Sequence, residues 1–301
     1  MSTPSTILLT DLLSLSPLEL QAKLNGIYEH SPWVAESAFP DETVVQSLKS
    51  LQDVFRVMKK AVGGASLDRK ITLLKEHPDL CKRAAVDMEG LTASSREEQA
   101  KAKLGQLTEE EYSFFTKTND EYRSKFGFPF ILAVRNATKQ TVLQAIKARV
   151  KNTYEREFAA SLAQVHKIAW MRLIAMIDLP ESNRGFLTCH VLDTAGGCPA
   201  ANMRIELYRL NDGRPTFIQS YVTNEDGRLC GGPALKGNDF QVGTYQWIFY
   251  VGDYFSSTNV DTSGCPFLNE VPIQFGIDDP EAHYHVPLLV SPYGYSTYRG
   301  S

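Results

Sequence analysis

Between residues 168 and 193 the chain reads Ile168-Ala169-Trp170-Met171-Arg172-Leu173-Ile174-Ala175-Met176-Ile177-Asp178-Leu179-Pro180-Glu181-Ser182-Asn183-Arg184-Gly185-Phe186-Leu187-Thr188-Cys189-His190-Val191-Leu192-Asp193. Its periodicity changes inside this stretch. Val142, Ile146, Val150, Tyr154, Phe158, Leu162 and Val165 run toward Leu173 at steps of three and four, the spacing of one helical face. Pro180, Ser182, Asn183 and Gly185 then break the helix, and alternation of period two takes over from Phe186 to Asp193. The boundary falls between Arg172 and Asn183, dividing the chain into an all-helical domain over 1–175, a linker over 176–184 and a strand domain over 185–301.

The helical period extends upstream. Val44, Val45, Leu48, Leu51, Val54, Phe55 and Met58 form one predicted stripe, and Tyr112, Phe115, Asn119, Tyr122 and Phe126 another. Downstream, alternation returns in Met203 to Leu210 and His283 to Val290, with turn signals at Asp193 to Gly197, Asn211-Asp212-Gly213 and Glu225-Asp226-Gly227. The fold class is therefore multidomain, all-α followed by all-β. A chain of 301 residues has room for two such cores.

Composition narrows the function. A hydrophobic share of 43%, a charged share of 22% and a net charge of -4 offer no basic excess for nucleic acid or an anionic membrane. No apolar run approaches the eighteen residues of a membrane span, and the N-terminus lacks the pattern of a secretory signal. Five scattered cysteines without a C-x-x-C pair suggest neither a disulfide framework nor a zinc ribbon, so a reducing compartment is expected.

In the helical half, Pro78 ends a helix and holds His77 at its terminus. Ser95 and Glu98 stand three apart, which by spacing alone is a helix-capping box. The ordered set is more specific: His77-Pro78-Asp79-Leu80, Leu91-Thr92, Ser95 with Glu98-Gln99, Phe126-Gly127-Phe128-Pro129-Phe130 and Ile168 to Leu173 together resemble the 2-oxo-4-hydroxy-4-carboxy-5-ureidoimidazoline (OHCU) decarboxylases, from about Leu8 to Leu173. That resemblance implies an all-helical fold without metal or organic cofactor. It implies His77 as the catalytic histidine and Ser95, Glu98, Gln99 and Arg172 as substrate-holding residues. After loss of carbon dioxide the substrate ring delocalises the carbanion itself, so the protein has only to orient it and protonate one face.

In the strand half, alternation puts Thr188, His190 and Leu192 on one face, and His283, His285, Pro287 and Leu289 on another. A strand histidine is often structural, and His283-x-His285 is also half a zinc site, so a zinc hydrolase built on His190, His283 and His285 stays open on spacing. Again the ordered set decides more. Leu187 to Asp193, Gly197-Cys198-Pro199-Ala200, Thr223 to Leu229, His283 to Leu289 and the ending Ser296-Thr297-Tyr298-Arg299-Gly300-Ser301 resemble the transthyretin-related 5-hydroxyisourate hydrolases over Gly185 to Ser301. The resemblance implies a β-sandwich homotetramer, His190, Arg228 and His285 as catalytic residues, and Tyr298 and Ser301 lining the same site; His283 is assigned to structure. The histidines and this tail favour an enzyme over a transthyretin-like carrier or a scaffold.

The two resemblances imply consecutive steps. 5-Hydroxyisourate opens to OHCU, and OHCU loses carbon dioxide to give S-allantoin, in the domain order of bifunctional plant enzymes. No cofactor is expected, and the partners are the two small molecules and further copies of the chain. Arg172-Leu173 is not followed by the His-Leu of an internal peroxisomal address and the chain does not end in Ser-Lys-Leu, so a cytoplasmic location is expected, with peroxisomal import as the alternative.

Overall fold

Short polar caps cut the first half into helices. A computed structural model describes residues 6–78, 80, 107–134, 137–211, 213–258 and 265–300. The chain divides into two compact units, Met1–Asp178 and Leu179–Ser301. In the first, α1 (Leu9–Leu13), α2 (Pro17–Leu24), α3 (Trp33–Ala38), α4 (Glu42–Ser47), α5 (Leu51–Gly64) and α6 (Leu67–Lys75) precede α7 (Glu109–Phe126), α8 (Lys139–Arg149) and α9 (Tyr154–Met176). A two-residue strand, β1 (Ile7–Leu8), pairs in parallel with β2 (Ile177–Asp178). The stretch 176–184, read as a linker, thus holds the end of α9, β2 and a 3-10 turn at Glu181–Asn183.

Two predicted helical stripes are interrupted. The run from Val44 to Met58 breaks at Leu48, which is extended, and restarts at Ser50, whose hydroxyl accepts from Asp53 N–H while the Asp53 carboxylate accepts from Lys49 N–H. These side-chain partners satisfy amide donors that a helix N-terminus leaves open, so two helices replace one. Thr153 restarts α9 in the same way, accepting from Arg156 N–H.

Along α9 the buried positions include Glu157, Ser161, Val165, Ala169, Arg172 and Leu173, while Tyr154 is exposed. The apolar stripe expected through Tyr154, Phe158 and Leu162 is therefore displaced by a polar one. Glu157 is fully buried; it accepts from Tyr122 Oη (2.5 Å), Arg149 Nε (2.8 Å) and Nη2 (2.5 Å), and Asn152 Nδ2 (2.6 Å). Arg149 Nη1 also donates to the Ile131 carbonyl, and its guanidinium lies over the Phe130 ring. This cluster ties α7, α8 and α9 to the aromatic segment in which Phe126, Phe128 and Phe130 are buried.

The second unit is a sandwich. One sheet runs β12 (Gly294–Ser296), β11 (Leu288–Ser291), β4 (Val191–Asp193), β5 (Cys198–Pro199). The other runs β7 (Arg214–Val222), β6 (Arg204–Asn211), β8 (Gly243–Tyr250), β9 (Glu270–Ile277), with a short helix, α10 (Val251–Ser257), between β8 and β9 in sequence. A separate parallel pair joins β3 (Phe186–Thr188) to β10 (His283–His285). Each predicted histidine strand is thus two short strands. Pro287 has no N–H to supply a rung, so the ladder stops at His285 and resumes at Leu288, with Val286 N–H donating to Thr188 O and Leu288 N–H to His190 O across the gap.

Alternation survives the break. Leu187, Cys189, Val191, Tyr284, Val286, Leu288 and Val290 face the core with Ile205, Leu207, Trp247 and Phe249, leaving Thr188, His190, His283 and His285 on the opposite side. Among the described residues no helix is long and apolar enough to cross a membrane.

Removing the Glu157 carboxylate leaves the half-buried Arg149 without its countercharge. Glu157→Ala is expected to cost the helical unit about 3 kcal/mol or more, read from urea unfolding by circular dichroism at 222 nm; a loss below about 1 kcal/mol would show that the cluster is replaceable.

Candidate active sites

His77 lies just past α6, where its N–H reaches the Leu74 carbonyl at 3.3 Å. The side chain is buried, not held out at the helix end, and ring Nδ1 donates to Leu73 O at 2.9 Å. That bond leaves Nε2 as the acceptor. Burial pulls the ring down from 6.5 to about 4; Arg172 and His30 push the same way, while the Leu73 hydrogen bond and Glu29 oppose them. His77 is therefore neutral at pH 7, and a new negative charge beside it favours its protonated form.

Arg172, six residues after His166 on α9, is buried and forms an ion pair of 2.5 Å with Glu29, itself 1% exposed. Glu29 sits in the Tyr28-Glu29-His30 segment between α2 and α3, where His30 adopts a left-handed φ of 46° and approaches Glu29 at 3.9 Å. The Tyr28 hydroxyl and His166 Nδ1 are hydrogen-bonded at 2.8 Å, with the rings edge to face. Burial, with Lys59 as a lesser cause, lowers His166 to about 4, so its ring is neutral and free to accept. Sequence reasoning misses Glu29 and His30 because the eight residues between α2 and α3 carry no period. An acid set between Tyr28 and Ser31-Pro32-Trp33 is the signal that was available. Ser95, Glu98 and Gln99 lie outside the described residues.

The second constellation lies on the outer face of the β3–β10 and β4–β11 pairs. His190 and His285 have ring centroids 6.5 Å apart. His190 also forms a backbone bridge with Arg228, which stands at the end of a tight turn where Asn224 Oδ1 accepts from Asp226 and Arg228 N–H. Gly227 makes that approach possible: its φ is +71° and a Cβ there would lie 2.2 Å from Val191 O. His190 Nε2 is buried without a hydrogen-bond partner in the chain, a state that costs about 1–3 kcal/mol and leaves this atom for a ligand.

Thr188 Oγ1 lies 2.9 Å from His285 Nδ1 and 2.7 Å from His283 Nε2, and His283 stacks on Phe186 at 4.2 Å. Burial lowers His285 below its ordinary value, and the charges of Arg228, His283 and His190 lower it further. The C-terminal segment closes over the ring, with Gly300 N–H donating to His285 O at 2.9 Å. Tyr298 is 57% exposed and borders a recess of about 230 Å³ shared with β9 residues Ile273 and Phe275. Ser301 lies outside the described residues. No three of the described His, Cys, Asp and Glu side chains form a metal-holding group, so His190, His283 and His285 do not converge as the zinc reading requires.

The OHCU decarboxylase family model matches residues 14–174, and the HIUase/Transthyretin family model matches 187–300. Over 120 residues the chain is 53% identical to 5-hydroxyisourate hydrolase 2 of Rhizobium meliloti, covering 40% of this chain and 99% of that protein. Over 147 residues it is 39% identical to the 2-oxo-4-hydroxy-4-carboxy-5-ureidoimidazoline decarboxylase of Haloferax volcanii, covering 49% of this chain and 82% of that one. A crystal structure of (S)-allantoin synthase superposes with a TM-score of 0.84 at 49% identity, covering 98% of this chain and 100% of the other.

His77 and His166 bind protons more readily unfolded, near 6.5, than folded, near 4. Their stabilisation is full above pH 6.5 and is lost as pH falls toward 4, each contributing up to about 1.4 kcal/mol per pH unit. A urea midpoint for the helical signal that declines across this window is expected, as is an NMR titration in which His77 keeps its single proton on Nδ1 below pH 6; a ring titrating near 6.5 would contradict both.

Proposed function

Because the chain belongs to two families at once, OHCU decarboxylase and HIUase/transthyretin, we propose that it carries the oxidation product of urate through two consecutive steps, hydrolysis of 5-hydroxyisourate to OHCU and stereospecific decarboxylation of OHCU to S-allantoin. It is a bifunctional enzyme of urate degradation. The observation that carries the assignment of residues is the same in both halves: an imidazole held below its ordinary pKa by burial and by a nearby arginine, Arg172 for His77 and Arg228 for His285.

For the hydrolase, the neutral His285 accepts a proton from water as the oxygen adds to the amide-like carbonyl, and Arg228 stabilises the developing oxyanion. When the carbon–nitrogen bond breaks, the proton passes from His285 to the departing nitrogen. The unpartnered His190 Nε2 orients the water or the ring.

For the decarboxylase, Arg172 takes one oxygen pair of the substrate in its planar fork while Glu29 keeps the guanidinium in place. The arriving carboxylate favours the charged form of His77, so a proton is taken up with the substrate. After carbon dioxide leaves, Nε2 gives that proton to one face of the carbanion. Ser95, Glu98 and Gln99 complete substrate holding in this reading.

We also propose a homotetramer. His190, His285 and Arg228 lie on the outer face of the sandwich unit, with Arg228 exposed, so a second copy set against that face would enclose the reacting atoms. Light scattering of the intact chain at several concentrations tests the assembly.

Urate oxidase generates 5-hydroxyisourate in situ, and absorbance with circular dichroism follows both steps. Wild type is expected to give one enantiomer of allantoin rapidly; His285→Ala slows the first step by about 10²-fold or more, and His77→Ala leaves racemic product at the spontaneous rate. Unchanged spontaneous decay with wild type would return the carrier reading. A methyl group at Gly300 would meet His285 Cδ2 at 2.6 Å, so Gly300→Ala is expected to lower the first rate at least about tenfold by displacing the ring, with decarboxylation unaffected.

A further inference from the structure

His283 is two residues from the base of the hydrolase, and its ring occupies a defined place in the same hydrogen-bond chain. Thr188 Oγ1 contacts His283 Nε2 at 2.7 Å, His285 Nδ1 at 2.9 Å and the Tyr284 carbonyl at 3.5 Å. A hydroxyl has one proton to give, and the ring contacts at 2.7 and 2.9 Å are far shorter than the 3.5 Å to the Tyr284 carbonyl, so it donates to one ring and accepts from the other. With Nδ1 of His285 engaged by Thr188, the nitrogen left to meet water is Nε2. To act as a base, Nε2 must be bare, which puts the proton of neutral His285 on Nδ1. Nδ1–H then donates to Thr188, Thr188 O–H donates to His283 Nε2, and His283 carries its own proton on Nδ1. The direction of every bond follows from the first choice.

We propose that Thr188 and His283 are a proton relay behind His285, holding its tautomer in the resting enzyme and receiving the positive charge when it takes a proton from water. The step balances. A water O–H bond breaks and His285 Nε2–H forms; His285 Nδ1–H breaks and a Thr188 O–H forms; the old Thr188 O–H breaks and His283 Nε2–H forms. His285 and Thr188 end neutral and His283 ends as imidazolium. The sequence reverses when the departing nitrogen takes the proton back from Nε2.

Electrostatics favours the transfer. His285 faces Arg228 from the 223–229 turn, His190 from the adjoining strand and His283 from its own, and all three disfavour charge on it. His283 lies one hydroxyl farther along the chain and stacks against the Phe186 ring at 4.2 Å and 24°. An aromatic face attracts an imidazolium. Thr188 and His283 are thus positioning residues: they act through His285, and the inference rests on His285 being the base.

The test compares Thr188→Val, Thr188→Ser, His283→Phe, the Thr188→Val/His283→Phe double variant and His285→Ala in the intact chain. Hydrolysis of 5-hydroxyisourate made in situ is followed from pH 6 to 9, with the near-UV circular dichroism and the thermal unfolding of each variant as the check that the strand unit is folded. Thr188→Val and His283→Phe are expected to lower kcat by about 10–10²-fold with KM within about threefold, because a proton-transfer path is lost and substrate binding is not. Thr188→Ser restores at least a third of wild-type kcat. The double variant is no slower than the slower single one, since both cut one path. In 15N NMR, neutral His285 shifts from the Nδ1–H toward the Nε2–H form in Thr188→Val. Wild-type kcat and pH profile in Thr188→Val, with His285→Ala inactive, overturn the relay and leave the base standing; full activity in His285→Ala overturns the base itself.

Discussion

Two hydrogen bonds across a gap in the sandwich, from Val286 N–H to Thr188 O and from Leu288 N–H to His190 O, set the hydrolytic site. Pro287 supplies no donor between them, so the parallel pairing is carried past it by its neighbours. Because those bonds keep the register, the residues on either side stay in phase. Tyr284, Val286 and Leu288 remain in the core, and Thr188, His190 and His285 remain together outside it. A slip of one residue in either strand would exchange the two sets and bury the imidazoles.

The elements that complete the site depend on that frame. The 223–229 turn reaches it only because Gly227 lets its backbone lie against Val191 O, which brings Arg228 beside His190. The tail approaches His285 closely enough that position 300 has no room for a side-chain carbon. Small residues here serve proximity, and proximity is what brings the charge of Arg228 to bear on the His285 ring.

The helical site follows a different logic. Its charges are buried in pairs: Glu29 with Arg172 and Glu157 with Arg149. Each acid satisfies a guanidinium that would otherwise be costly to bury. The Glu157 pair binds helices to one another. The Glu29 pair instead sits where the field reaches His77, so one ion pair both fixes an arginine and tunes an imidazole. Tyr28 and His166 hold the same turn against α9 from the next position along.

Local pattern alone determined much of this protein: the helical first half, the strand-rich second half, and the faces on which Thr188, His190, His283 and His285 lie, because periods of 3.6 and 2 are written in neighbouring residues. Motif order supplied His77, Arg172, Arg228 and the two families. Tertiary structure decided what depends on residues far apart in the chain. The polar stripe on α9 and Glu29 beside Arg172, which is 143 residues away by number (172 less 29), have no local period to announce them. The protonation of His77 belongs with these. An imidazole has the same intrinsic pKa wherever it stands in a sequence, and only burial and the charges folded around it move that value.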